Sequence, residues 1–182
     1  MADPVVFYGS SITQGVAVSR PGNSYISLLS GMLDFDYVNL GFGGNAKGEQ
    51  AMADYIAGLH QSVFVMDYDH NTPSVQHLEQ THPRFFDTIR SKQPHLPVVM
   101  ISRPDFRYGG EQAVLRREVI RSTYQKAREA GDQNVWFIDG ETLWGSEGWD
   151  SCTIDTCHPN DLGQWRMAVE IAKTLGTIPA LA

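Results

Sequence analysis

Four short stretches of this chain gather groups that can do chemistry together. Gly9-Ser10-Ser11-Ile12-Thr13-Gln14-Gly15 follows an apolar run. Its glycines allow a tight strand-to-helix turn that leaves the Ser11 hydroxyl exposed at a helix start, where the positive end of the peptide dipoles favours developing negative charge. In Asn39-Leu40-Gly41-Phe42-Gly43-Gly44-Asn45, three glycines in four positions let the backbone approach a ligand closely and aim an N–H at it. In Asp67-Tyr68-Asp69-His70-Asn71-Thr72-Pro73, the proline suits a helix start and Asn71 can point an amide donor into a crevice. Asp155-Thr156-Cys157-His158-Pro159-Asn160-Asp161 places a carboxylate three residues before an imidazole. In one turn, Asp155 can hold the Nδ1–H of His158 and leave Nε2 free as a general base. Each stretch alone reads as turn or capping chemistry. Four of them at four successive strand or helix boundaries read as a site.

The elements that must position these groups follow from hydrophobic patterning. Val5–Tyr8, Tyr37–Leu40, Val63–Met66, Val98–Ile101 and Val135–Ile138 are short continuous apolar runs, as expected of strands buried on both faces. Ser24–Leu33, Glu49–Leu59, Val75–Ile89, Glu111–Ala130 and Asp161–Leu175 have helical spacing, with Gly131 as a C-cap and Asn160 or Asp161 as an N-cap. In the last, Trp165, Ala168, Val169, Ala172 and Leu175 form an apolar stripe that predicts Trp165 in the core. Strands alternating with helices imply a three-layer α/β/α sandwich around a flavodoxin-like, five-stranded parallel sheet with right-handed crossovers. Ligands of such sheets bind beyond the carboxyl ends of the strands, where all four stretches fall.

Composition bounds the rest. With 182 residues, 42% hydrophobic and 19% charged, the chain is expected to form a single domain over 1–182. Fourteen Lys plus Arg against 21 Asp plus Glu, with no basic run, argue against nucleic acid or membrane surfaces as partners. No apolar run reaches the roughly 18 residues of a membrane span, and no leader pattern precedes Val5. A cytoplasmic protein or a trimmed secreted domain is expected. Cys152 and Cys157 are too few for a disulfide framework or a structural zinc site, and they read either as one small bridge or as two free thiols. Neither cofactor nor metal is expected. His60, His77, His82 and His95 read as solvated or capping residues.

Taken in order, the four stretches resemble the blocks of the SGNH or GDSL hydrolases across nearly the whole chain. The Gly-Ser-Ser-Ile-Thr-Gln-Gly and His-Pro-Asn-Asp-Leu-Gly phrases most resemble a bacterial subgroup in which this domain often follows a small β-sandwich domain. The resemblance implies Ser11 as nucleophile, Asp155 and His158 as its partners, and an oxyanion hole of the Ser11 N–H, the Gly44 N–H and the Asn71 side chain. Two positions depart from the pattern. Ser10 stands where an acidic residue usually precedes the nucleophile, and Tyr68 stands where a glycine usually precedes the third block's Asn.

The activity so implied is acyl-ester hydrolysis without cofactor. The short loop between the oxyanion blocks leaves little material for a deep acyl channel, which points to short acyl groups, acetyl first, on an exposed alcohol such as a sugar hydroxyl. Trp144 and Trp149 could stack on a sugar or wall the acyl pocket, or simply pack. Phe42 and His70 could border the cleft. Ester formation on the same residues, as in an acyltransferase, and lipase or thioesterase activity are the neighbouring alternatives. Two rivals of other classes are a magnesium-dependent phosphatase built on Asp67-x-Asp69 and an inactive carbohydrate- or partner-binding module.

Overall fold

The structure, a computed structural model, describes residues 3–181. Its core is one sheet of five parallel strands, β1 (Val5–Gly9), β2 (Tyr37–Gly41), β3 (Val63–Asp67), β4 (Val98–Ile101) and β5 (Val135–Ile138), in the order β2-β1-β3-β4-β5. This is the flavodoxin-like order expected from the sequence, and each strand begins where its apolar run begins. The α-helices among the described residues are α1 (Ser11–Gln14), α2 (Tyr25–Leu33), α3 (Gln50–Ala57), α4 (Val75–Lys92), α5 (Gly110–Glu129) and α6 (Asp161–Leu175).

Period-two alternation along the strands divides the apolar side chains between two cores. Val5, Phe7, Val63, Val65, Val99 and Ile101 pack with Tyr25, Ile26 and Leu29 of α2 and Met167, Ala168 and Ile171 of α6. Val6, Tyr8, Phe64, Met66, Val98 and Met100 pack with Ile56 of α3, Leu78 and Phe85 of α4, and Ile120 of α5. Roughly 1.5–3 kcal/mol for each such side chain removed from water explains why β1 and β3 tolerate no polar residue before their last positions.

The helix ends follow local chemistry. Ser24, Ser74 and Asn160 cap α2, α4 and α6 by accepting the N–H of Ser27, His77 and Gly163. After α5, Gly131 takes a left-handed conformation (φ 92°), and the Asp132 N–H returns to the Ala127 carbonyl at 3.0 Å. That is a Schellman stop.

Three expectations need correction. Trp165 is 50% exposed and Val169 is exposed beside it, because the inward face of α6 is Gln164, Met167, Ala168, Ile171 and Leu175. Trp144 is fully inside the α2/α6 core, so it neither stacks on a ligand nor walls a cleft. His82 is buried rather than solvated: it joins α4 to α5 through Nδ1 and the Thr123 hydroxyl at 3.0 Å, and burial lowers its pKa to about 3.

Candidate active site

The sheet order reverses direction between β2 and β3 on either side of β1, so the crevice opens at the carboxyl end of β1. Gly9 closes that strand. A Cβ there would sit 2.0 Å from Thr13 Oγ1 and 2.3 Å from the Asp67 carbonyl, so only glycine lets the chain turn this tightly. Ser10 then caps α1 by accepting the Ile12 N–H at 3.2 Å. α1 is a single turn, Ser11–Gln14, so it has little dipole to contribute. What remains is local: Ser11 is the first helical residue, and its N–H lacks an intrahelical acceptor.

The nucleophile turn is braced from below by Asp67 at the end of β3. Its Oδ2 accepts the hydroxyls of Thr13 and Tyr25, each at 3.0 Å. Burial, reinforced by the charge of Asp69, raises the pKa of Asp67 to about 7. A carboxyl whose pKa is higher in the fold than in the unfolded chain favours the fold while protonated. Its contribution therefore declines as pH climbs from about 4 to about 7. Asp67→Asn removes that ionisation. The melting temperature of the variant relative to wild type should rise between pH 5 and pH 8, by an amount equivalent to at most about 3 kcal/mol. A constant difference across that range would show that Asp67 does not titrate there.

The closing turn brings His158. Thr153 and Pro159 pair in an antiparallel bridge, and the Ile154 N–H donates to the His158 carbonyl at 3.1 Å. Thr156 at the tip takes φ 69°, a left-handed conformation that strains a β-branched residue by roughly 1–3 kcal/mol. The two oxygens of Asp155 have different tasks. Oδ1 accepts the backbone N–H of Cys157 at 3.0 Å and of His158 at 2.7 Å, which fixes the turn. Oδ2 accepts from His158 Nδ1 at 2.6 Å. The side-chain bond to His158 is the largest cause holding Asp155 down to about 2, so the carboxylate is charged at any neutral pH. On the other side of the ring, His158 Nε2 lies 3.0 Å from Ser11 Oγ. Hydroxyl, imidazole and carboxylate thus form one hydrogen-bonded chain, able to draw a proton from Ser11 and hold the resulting imidazolium.

Gly44 takes φ 73° in the loop after β2, and its N–H has no protein acceptor among the described residues. The neighbouring Gly43 N–H is already taken by Gln14 Oε1 at 3.0 Å. Asn71 closes a 3₁₀ turn (Asp69–Asn71), with Oδ1 buried and unpartnered. Phe42 is 39% exposed at the loop and meets the ring of Tyr8 edge-on.

His70 lies beside the closing turn, its Nε2 3.0 Å from Asp105 Oδ1 and 3.9 Å from Cys157 Sγ. Burial would lower its pKa, but the hydrogen bonds to Asp105 and Cys157 outweigh it and raise the value to about 10. Asp105, which also takes the fork of Arg103, is held near 2 against its burial. Trp149 is half-buried, tilted against Tyr108 and covered by the Arg107 guanidinium 5.0 Å from its ring centre.

Cys152 and Cys157 are both free thiols. His70, Asp105 and Cys157, and likewise Asp155, Cys157 and His158, have ligand atoms close enough together to hold a metal ion. In each set the carboxylate already receives charged or main-chain donors, and Arg103 keeps a positive charge beside the first. Asp67 and Asp69 are buried, with Asp67 taken up by Thr13 and Tyr25, so they present no open pair to a cation and the phosphatase reading fails.

Sequence reasoning missed the supports. Gln164, fully buried in α6, accepts the Tyr25 N–H at 2.7 Å and donates to the Ile12 carbonyl at 3.4 Å, tying the last helix to the nucleophile turn. Its only signal was a polar residue on what proved to be an inward face. Arg103, Asp105 and Arg116 had no signal beyond their charge.

Comparisons with known proteins identify the family and the fold. The sequence model of the GDSL-like Lipase/Acylhydrolase family matches residues 2–176, and the chain belongs to that family. Among solved structures it resembles a protein described as a GDSL-like lipase from Bacteroides ovatus, at 29% identity and TM-score 0.89, covering 100% of this chain and 55% of that one. It shares its fold with a salicylyl-acyltransferase from a tetracycline biosynthetic pathway (22% identity, TM-score 0.84, 99% of this chain, 56% of that one). It also shares its fold with a two-domain esterase active on acetylated mannans (21% identity, TM-score 0.73, 97% and 50%). The chain therefore spans about half the length of these three proteins. A search of curated proteins gave no match.

Proposed function

We propose that residues 1–182 form a single catalytic domain that hydrolyses short-chain acyl esters, acetyl first, with carbohydrate hydroxyls as the favoured alcohols. The observation that carries this reading is the continuous chain from Ser11 Oγ to His158 Nε2 at 3.0 Å and from His158 Nδ1 to Asp155 Oδ2 at 2.6 Å. In the forward step, His158 takes the Ser11 proton as Oγ bonds to the ester carbonyl carbon. Asp155 holds the ring and stabilises the imidazolium. The tetrahedral oxyanion is received by the N–H groups of Ser11 and Gly44 and the Asn71 amide. His158 then protonates the departing alcohol, and water, deprotonated by the same imidazole, releases the acid from the acyl-serine.

The preference for short acyl groups rests on the openness of the site. Asp155 and His158 have side chains 45% and 27% exposed. A cavity of about 730 Å³ is lined by Pro94, His95 and Asn134, residues leading into β4 and β5, and lies at the opposite end of the sheet from Ser11. The reading of sugar as alcohol draws support from the fold shared with the mannan esterase. Acyl transfer to an alcohol would use the same residues, and product analysis with an added alcohol separates it from hydrolysis.

p-Nitrophenyl acetate, butyrate and octanoate provide the test. Turnover should fall with chain length, and an organophosphonate should label Ser11. Octanoate turned over faster than acetate would reject the short-acyl reading. A folded protein that neither cleaves any of the three esters nor accepts the label would reject the esterase reading itself.

A further inference from the structure

We infer that Arg116 is a positioning residue for the oxyanion hole, acting through the turn that carries Asn71; this rests on the reading of Asn71 as an oxyanion donor. α5 is an outer helix, and most of its charged residues face solvent. Arg116 instead turns inward and is only 8% exposed. Its guanidinium makes no hydrogen bond to a carboxylate among the described residues. Nη1 donates to the Asp69 carbonyl at 2.6 Å and to the Thr72 hydroxyl, and Nη2 donates to the Thr72 carbonyl at 2.9 Å. These acceptors bracket residues 70 and 71 from both sides. The Thr72 hydroxyl closes the bracket by donating to the Asp69 carbonyl at 2.8 Å.

Burying a guanidinium costs several kcal/mol unless its donors are satisfied. Here they are satisfied chiefly by main-chain oxygens of one four-residue turn. The side chain of Asn71 has no such hold, since its Oδ1 is buried without a partner and no protein group accepts from its amide among the described residues. The direction of the amide is therefore inherited from the backbone of the turn. A donor displaced by about 1 Å loses much of its value to an oxyanion, because that value depends on preorganisation. Arg116 holds the turn where the donor must be, without touching substrate.

The test is a double-mutant cycle on p-nitrophenyl acetate hydrolysis. Arg116→Met, which keeps the length and removes the donors, should lower kcat about 10- to 100-fold with KM changed less than twofold. In an Asn71→Ala background the same substitution should cost less than threefold. Arg116→Lys, which keeps the charge but not the fork, should fall between Met and wild type. Should Arg116→Met not fold, Thr72→Val replaces it in the cycle, since that removes one of the acceptors held by Arg116. Equal losses in both backgrounds would place the effect of Arg116 elsewhere and overturn the inference, as would an unchanged kcat in Arg116→Met. If Asn71→Ala is itself silent while Ser11→Ala is dead, the failure belongs to the oxyanion assignment, and the inference falls with it.

Discussion

Ser11→Ala should abolish ester turnover, lowering kcat on the order of 10⁵–10⁶-fold, while leaving the fold and its melting temperature nearly unchanged. The size of the loss follows from removing the atom that forms the acyl bond, since members of such a unit fail together rather than in proportion. The structural silence follows from the contacts of the side chain. Ser11 Oγ has one hydrogen-bond partner, His158 Nε2, and the cap of α1 is made by Ser10 instead. Steady-state hydrolysis of p-nitrophenyl acetate and a thermal melt, run side by side, decide the matter. Activity within tenfold of wild type would remove Ser11 from the nucleophile's role.

Asp155→Asn should lower kcat on the order of 10⁴-fold, with a smaller structural effect than Asp155→Ala. The difference comes from the division of labour between the two oxygens. An asparagine can keep its Oδ1 on the N–H groups of Cys157 and His158, so the turn survives. Its NH₂ then faces Nδ1 of the ring and favours the tautomer with the proton on Nε2. That nitrogen can no longer accept the proton of Ser11. Because Asp155 is held near 2, the wild-type enzyme suffers no such loss anywhere near neutral pH. A variant with wild-type kcat and an intact melt would mean that His158 is oriented by something other than this carboxylate.

The fold was legible because its information is local and periodic. The strand runs are apolar without interruption, and residues that favour caps stand at the helix starts, so sheet and helices follow from patterning alone. The stretches of the candidate site were legible for a related reason: Asp155 and His158 share one turn, and Ser11 and Asn71 follow strand ends. What patterning does not carry is which face of a helix wins when both are apolar. Trp165 and Val169 lost to Met167 and Ile171 because α6 meets α2 through the latter, a three-dimensional fact with no trace in the spacing. Trp144 was ambiguous because a tryptophan before a catalytic turn serves equally as platform or as packing. Arg116 was invisible because a buried arginine on a charged helix looks like any solvated one.

The two halves of the candidate triad are separated by 147 positions in the chain. Gln164, in the final helix, fastens that helix to the turn bearing Ser11. During synthesis Ser11, the Gly-rich loop and Asn71 all leave the ribosome well before His158 exists. The sheet can grow around Ser11 while its hydroxyl stays an ordinary, unactivated alcohol. A copy that stops before His158 would leave Ser11 without its imidazole partner, and it would also lack the α6 side chains that pack one face of the sheet, so on the proposed reading reactivity and a settled site are completed together.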